Sequence, residues 1–153
     1  MKSSFTKHFL LVLALMVSAC QFHSEKKENY TAATKHSGSL AQDSLSQSIQ
    51  RGEVLYMDFC VTCHQPDGKG VSSSFPPLAN ADYLFQNREE SIRSVKYGQQ
   101  GKIVVNGVTY NGVMAPMGLE DDEVADVMNY IMNSWGNSQE VMVTANEVSK
   151  VEQ

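Results

Sequence analysis

A chain of 153 residues has room for one compact domain with tails but not for two, since a single core takes about 100 to 150 residues. Hydrophobic residues make up 42% and charged residues 19%, which excludes both a highly charged disordered chain and an integral membrane protein. The formal charge of −5 argues against nucleic acid as a partner, because neutralising phosphates needs a basic face.

The chain opens on a processing signal. Lys2 and Lys7 form a basic start, and the apolar run from Phe9 to Val17 is too short for a bilayer, which takes about 20 residues. The run ends in Val17-Ser18-Ala19-Cys20, which resembles the bacterial lipobox, whose cysteine receives lipid and becomes the new N-terminus. An ordinary secretory signal cleaved near Ala19 is the alternative, and either one exports the domain. The expected divisions are a lipoprotein signal peptide at 1–19, a lipidated N-terminus and flexible tether at 20–45, the folded domain at 46–137 and a C-terminal extension at 138–153. The tether is polar, lacks apolar periodicity and would reach roughly 25 to 30 Å. Without the signal the chain holds ten basic against seventeen acidic side chains, or −7, which favours protein partners with basic docking patches. Acylation of Cys20 would leave Cys60 and Cys63 as a pair.

From Ser44 to Phe59, Ile49, Gly52, Leu55, Tyr56 and Phe59 recur at helical spacing. Glycine inside a helix is unfavourable, and a second helix crossing at close range would explain Gly52. Directly after comes Cys60-Val61-Thr62-Cys63-His64. Two thiols three positions apart on a helical turn can each add to a vinyl group of one porphyrin, and the next residue places an imidazole under its iron. Three rivals remain. A thioredoxin-like pair would want a preceding strand, whereas the residues before Cys60 are helical in pattern. A zinc site would need a fourth ligand, and His8, His23 and His36 all lie in the signal or tether. A disulfide from Cys60 to Cys63 would close a very small, strained loop.

Further on, Asn87-Arg88-Glu89-Glu90 reads as a capping box opening a short helix that Gly98 ends. Ile103–Val105 and Val108–Tyr110 flank Asn106-Gly107, a two-residue hairpin signal. Acidic Glu120 to Glu123 suit a helix N-terminus, with Val124, Val127, Met128 and Ile131 as its apolar stripe and Gly136 as a stop. Thr144-Ala145-Asn146-Glu147 is a second capping-box pattern, so the extension is expected to hold a brief helix. Tyr83, Tyr97, Tyr110 and Trp135, at element ends, read as core anchors. The fold class is therefore mostly α with one small hairpin. Methionine is the common second axial ligand in electron carriers. Met1 and Met16 leave with the signal, Met57 precedes the motif, Met128 and Met132 belong to or adjoin the helical stripe, and Met142 lies beyond it. Met114 and Met117, in a loop, remain.

Gly52 and Tyr56, CVTCH at 60–64, FPPLANADYL at 75–84, VNGVTYNGVMAPMG at 105–118 and DDEVADVMNYIMNSWGN at 121–137 together resemble a class I c-type cytochrome of the monohaem, lipoprotein type. They are similar to the small cytochrome modules beside dehydrogenases, oxidases and copper nitrite reductases. The resemblance implies the class I fold, three to four helices around one haem, with a small hairpin before the loop of the axial methionine. It implies one haem c bound covalently through Cys60 and Cys63, with His64 and the methionine of YNGVM, Met114, as iron ligands. Ala115 stands where the family usually has proline, which keeps Met117 as the alternative. The family's proline carbonyl against the other nitrogen of the histidine maps to Pro77, ahead of Leu78. No general acid, base or nucleophile is implied, and the expected function is single-electron transfer between redox proteins by a non-enzyme anchored to a membrane. The alternatives are a haem peroxidase or gas-binding protein with a displaceable methionine, and a thiol exchange protein using the CxxC pair.

Overall fold

The computed structural model describes residues 44–153, so the expected signal peptide, Cys20 and nearly all of the expected tether lie outside the described residues. Helix α1 (Leu45–Phe59) starts where its cap is: the Ser44 hydroxyl accepts from the Gln47 amide at 3.2 Å, and the Gln47 side chain accepts from the Ser44 amide at 3.2 Å. This reciprocal bonding satisfies two amides that the first turn leaves without partners. After Cys60, one turn of helix, α2 (Val61–His64), carries the rest of the cysteine-histidine motif and stops at Gln65, which takes a φ of 66°.

Two helices follow, α3 (Asp82–Gln86) and α4 (Arg88–Tyr97). The capping box expected at Asn87 does not form. Asn87 closes α3 as well as opening α4, and its side chain turns back to donate to the Tyr83 carbonyl at 3.4 Å. Gly98, at a φ of 86°, ends α4 and turns the chain into the hairpin. Strands β1 (Gln99–Val105) and β2 (Val108–Met114) pair antiparallel from Val105↔Val108 at the turn to Gln99↔Met114 at the open end. Asn106 and Gly107 both have positive φ, as a two-residue turn matching strand twist requires. The strands run further than the apolar triplets implied, and the extra length carries β2 to Met114.

Helix α5 (Asp121–Ile131) begins with the Glu123 carboxylate accepting from the Glu120 amide at 2.9 Å, and its acidic first turn faces the positive end of the helix dipole. It crosses α1 at Gly52, where an added Cβ would lie 2.0 Å from the Asp126 carbonyl oxygen. Only glycine lets the backbones meet there. Beside the crossing, Ser48 donates to Asp126 at 2.6 Å and accepts from Asn129 at 2.8 Å, while Arg51 holds the Asp126 carboxylate through two nitrogens at 2.6 and 2.7 Å. The polar groups buried at the crossing are thus hydrogen-bonded, which removes most of the penalty for their desolvation.

The C-terminal segment belongs to the core. Val143 and Val148 are fully buried and Val151 nearly so. Asn129 clasps the backbone of Val143, donating to its carbonyl at 2.8 Å and accepting from its amide at 2.7 Å. The expected terminal helix is the short α6 (Ala145–Val148), capped by the Thr144 hydroxyl. The Glu147 side chain does not complete a capping box; it forms a two-point ion pair with Arg88 at 2.7 and 3.0 Å.

Candidate functional site

Packed helices, the 65–80 loop and the hairpin enclose a cavity of about 350 Å³, walled mostly by apolar atoms. Its size suits an organic cofactor, for which sites run about 300 to 1,000 Å³. Cys60, Cys63 and His64 line it from α2 and the residue before it. Both thiols are free, Cys60 buried and Cys63 partly so. Burial, with Cys63 adding to it, pushes the Cys60 thiol up to about 11 from its ordinary 9.

The His64 ring is held from behind. Its Nδ1 lies 3.0 Å from the Pro76 carbonyl oxygen, which can only accept, so Nδ1 carries the proton and the lone pair is left on Nε2. Burial lowers the imidazole pKa below 6.5 although the Pro76 bond opposes the shift, so the ring favours its neutral form near pH 7. The carbonyl belongs to Pro76, a correction of one residue to the expected Pro77. Pro77 instead lines the cavity with its ring neighbour. The loop geometry gives the reason. Gly70, at a φ of 64°, donates its amide to the His64 carbonyl at 2.9 Å and lets the chain close so tightly that a Cβ there would sit 2.3 Å from the Phe75 oxygen and 2.6 Å from that of Pro76. That closure aims the Pro76 oxygen at the ring.

The same loop is clamped to the end of α5. Asn137 donates to the Leu78 carbonyl at 2.8 Å, the Trp135 indole donates to Pro66 at 3.1 Å, and Asn80 donates to the Trp135 carbonyl at 3.1 Å. Trp135 also packs on Tyr56 and Tyr130, with ring centroids 4.9 and 5.3 Å apart. Tyr56 is fully buried and its hydroxyl donates to the Gln65 carbonyl at 2.7 Å, fixing the exit of α2.

Both candidate methionines reach the cavity: Met114 as the last residue of β2, and Met117 from the loop beyond. Gly98 packs against the Met114 carbonyl so closely that a Cβ there would come within 2.6 Å, so the backbone of Met114 is held from two sides. Met128, placed by periodicity on a buried stripe, is buried and also lines the cavity, as do Tyr83 and Tyr110. Met57 is exposed, and Met132 is buried away from the cavity. Among the described residues no cluster of three or more His, Cys, Asp or Glu side chains could hold a metal ion by itself.

Residues 49–135 match the cytochrome c family. Over 109 residues the chain is 43% identical to cytochrome c-552 of Thermus thermophilus, an alignment covering 65% of this chain and 82% of that protein. The chain belongs to the cytochrome c family. It is also 34% identical over 104 residues to the cytochrome c subunit of a quinone-type alcohol dehydrogenase from Komagataeibacter europaeus, and 34% identical over 115 residues to the gluconate 2-dehydrogenase cytochrome c subunit of Pantoea cypripedii. These matches cover 65% and 67% of this chain but only 22% and 24% of the two subunits.

The mostly helical fold with one two-stranded sheet is that of the class I, monohaem members. As a cytochrome c the protein carries covalently bound haem c and works by haem-based electron transfer. The cavity fits that group: an apolar, partly enclosed space bordered by two unpaired thiols, an imidazole with a free Nε2 lone pair and two thioethers.

Proposed function

We propose that this cytochrome c is a membrane-anchored carrier, not an enzyme, that passes single electrons between redox proteins on the exported side of a membrane. The observation that supports the reading best is the meeting, in one apolar cavity, of Cys60, Cys63 and His64 with Met114 from the hairpin. In this reading Cys60 and Cys63 hold haem c by thioether bonds, and His64 Nε2 and the Met114 sulfur are the iron ligands, with Met117 as the alternative to Met114. The bound group supplies a one-electron iron couple whose potential a neutral sulfur ligand raises. The chain's own residues orient and shield. The Pro76 carbonyl fixes the tautomer and plane of His64, and Tyr56 and Trp135 hold the turn that carries it. The apolar walls keep water from the centre.

Anchoring rests on the lipobox-like Val17 to Cys20 run, with lipid on Cys20 and the polar stretch of the 20–45 segment as the tether. Among the described residues no helix is long and apolar enough to cross a membrane. Residues 44–153 carry seven basic against fourteen acidic side chains, while residues 20–43 balance. The folded domain therefore bears the negative charge, and partners with basic patches suit it. The relatives that are dehydrogenase subunits point to a dehydrogenase as one class of electron donor.

Two rival readings are less well supported. Thiol exchange wants a depressed cysteine pKa, and that of Cys60 is raised. A peroxidase or gas-binding protein wants an open iron position, and two methionines line the cavity. The test is the intact mass of the mature protein from its host, with the ferric optical spectrum. One haem mass, acyl mass and a weak far-red sulfur-to-iron band are expected. A native high-spin spectrum would overturn the carrier reading, and a mass without acyl groups would overturn the anchor.

A further inference from the structure

Alternation along the hairpin turns Gln99, Gly101, Ile103 and Val105 of β1, and Tyr110, Gly112 and Met114 of β2, toward the cavity, and all seven line it. In register, Ile103 faces Tyr110 and Gln99 faces Met114, and between these two pairs of full side chains Gly101 faces Gly112. The centre of the inner face is therefore bare. Glycine in a strand interior forfeits packing and loses more entropy on folding than other residues, so a facing pair needs a cause.

The protein's own packing does not supply one. A Cβ on Gly101 would meet nothing within 4 Å, and a Cβ on Gly112 would meet only the Ser74 carbonyl oxygen at 3.8 Å, an ordinary contact. Backbone conformation explains Gly101, whose φ is 93°, but not Gly112, which lies outside the left-handed region. Gly52 and Gly70 differ, because there the protein itself occupies the space. At Gly112 the space belongs to the cavity, two residues before Met114 on the same face of the same strand.

We propose that Gly112, with Gly101 opposite, forms a side-chain-free notch that seats the haem macrocycle beside Met114. The inference rests on the haem site read above and deepens it: Gly112 is a positioning residue that sets how closely the hairpin, and with it the thioether, approaches the group. A side chain at 112 holds the hairpin off and lengthens or breaks the sulfur-to-iron contact.

The test uses the full-length holoprotein with Gly112→Ala and Gly112→Val, and Asn111→Val as a control that places the same β-branched side chain on the exposed outer face of the same strand. The readouts are the ratio of Soret to protein absorbance, the far-red band, the midpoint potential and the Tm. Gly112→Ala is expected to weaken the band and lower the potential, Gly112→Val to abolish the band, and Asn111→Val to change neither. A purely structural glycine predicts the opposite sign, since a β-branched residue in an open strand position raises the Tm and leaves the spectrum alone. An unchanged band and potential in Gly112→Val overturn the notch. If that variant does not mature, an alanine variant with the wild-type band and potential overturns it equally. A wild type without haem removes the proposed function and the notch together, whereas a normal wild type with an indifferent Gly112 series removes the notch alone.

Discussion

His64 and Met114 reach one cavity from walls built in different ways. Behind His64 stand the α1–α5 crossing, the fully buried Tyr56, and a loop whose carbonyls at Leu78 and Pro66 accept from Asn137 and Trp135 and whose Asn80 donates to the Trp135 carbonyl. Met114 ends a two-stranded sheet whose outer face meets solvent, with Val104 55% and Val113 75% exposed. Packing of protein on protein holds the imidazole, whereas strand register and the approach of Gly98 hold the thioether. A wall of the first kind resists small changes until it fails cooperatively, and a wall of the second kind can shift by itself.

The largest break removes what both walls surround. Replacing Cys60 and Cys63 together by serine is expected to abolish covalent haem, so the intact mass falls by one haem and the denatured protein is colourless; colour retained after denaturation would sink the attachment reading. Because a domain of this size buries limited apolar surface without the macrocycle, circular dichroism is expected to show lost tertiary structure as well.

Breaking the histidine wall should disturb folding before chemistry. Gly52→Val forces a side chain into the Asp126 backbone and is expected to cost about 3 kcal/mol in denaturant unfolding. Its surviving folded fraction should keep the far-red band, and selective loss of the band with normal stability would contradict the division of labour between the walls. Met114→Ala should do the reverse. The band disappears and the midpoint potential falls, while the loss of a half-buried side chain costs about 1 to 2 kcal/mol, below the range for full burial. Met117→Ala is expected to leave band and potential in place, and the opposite pairing of results would exchange the two ligands.

The smallest effect is remote from both walls. Arg88 holds the Glu147 carboxyl below its ordinary 4.5. Because the folded pKa is depressed, its contribution is complete above the unfolded value and fades as pH falls through the lowered folded value. The partly exposed pair is screened, so the amount is below about 1 kcal/mol. Glu147→Gln should flatten the profile of unfolding free energy by that amount as the pH falls below the ordinary 4.5, and a profile identical to wild type would remove the pair from the acid response.

Much of this was legible in local sequence, for physical reasons particular to each place. Both thiols and the imidazole occupy five consecutive residues, so one helical turn brings them to one cavity with no help from distant chain. Asn106-Gly107 sets the hairpin turn, and with it the register that carries Met114 to the open end opposite Gln99. Gly52 stood out as a helical residue at odds with propensity, and the crossing backbone is the cause. The Pro76 carbonyl was missed by one residue, because the direction of a carbonyl depends on how the loop closes at Gly70. Asn87 lost its expected cap because its side chain had a nearer acceptor on the preceding helix. The bare inner face of the hairpin was open to a reading by alternation, since Gly101 and Gly112 fall on the parity of Ile103 and Tyr110, but its meaning needed the cavity.

Local chemistry by itself determined the Cys60-to-His64 cluster, the turn, the helix starts at Ser44 and Glu120 and the acidic balance of the domain, because each rests on groups only a few residues apart or on simple sums. Tertiary structure decided which carbonyl orients His64, that both methionines reach the cavity, and that Val143, Val148 and Val151 belong to the core. Those outcomes depend on groups brought together across long stretches of chain, such as Asn129 holding Ser48 and Val143 at once, and only the packed fold sets those distances.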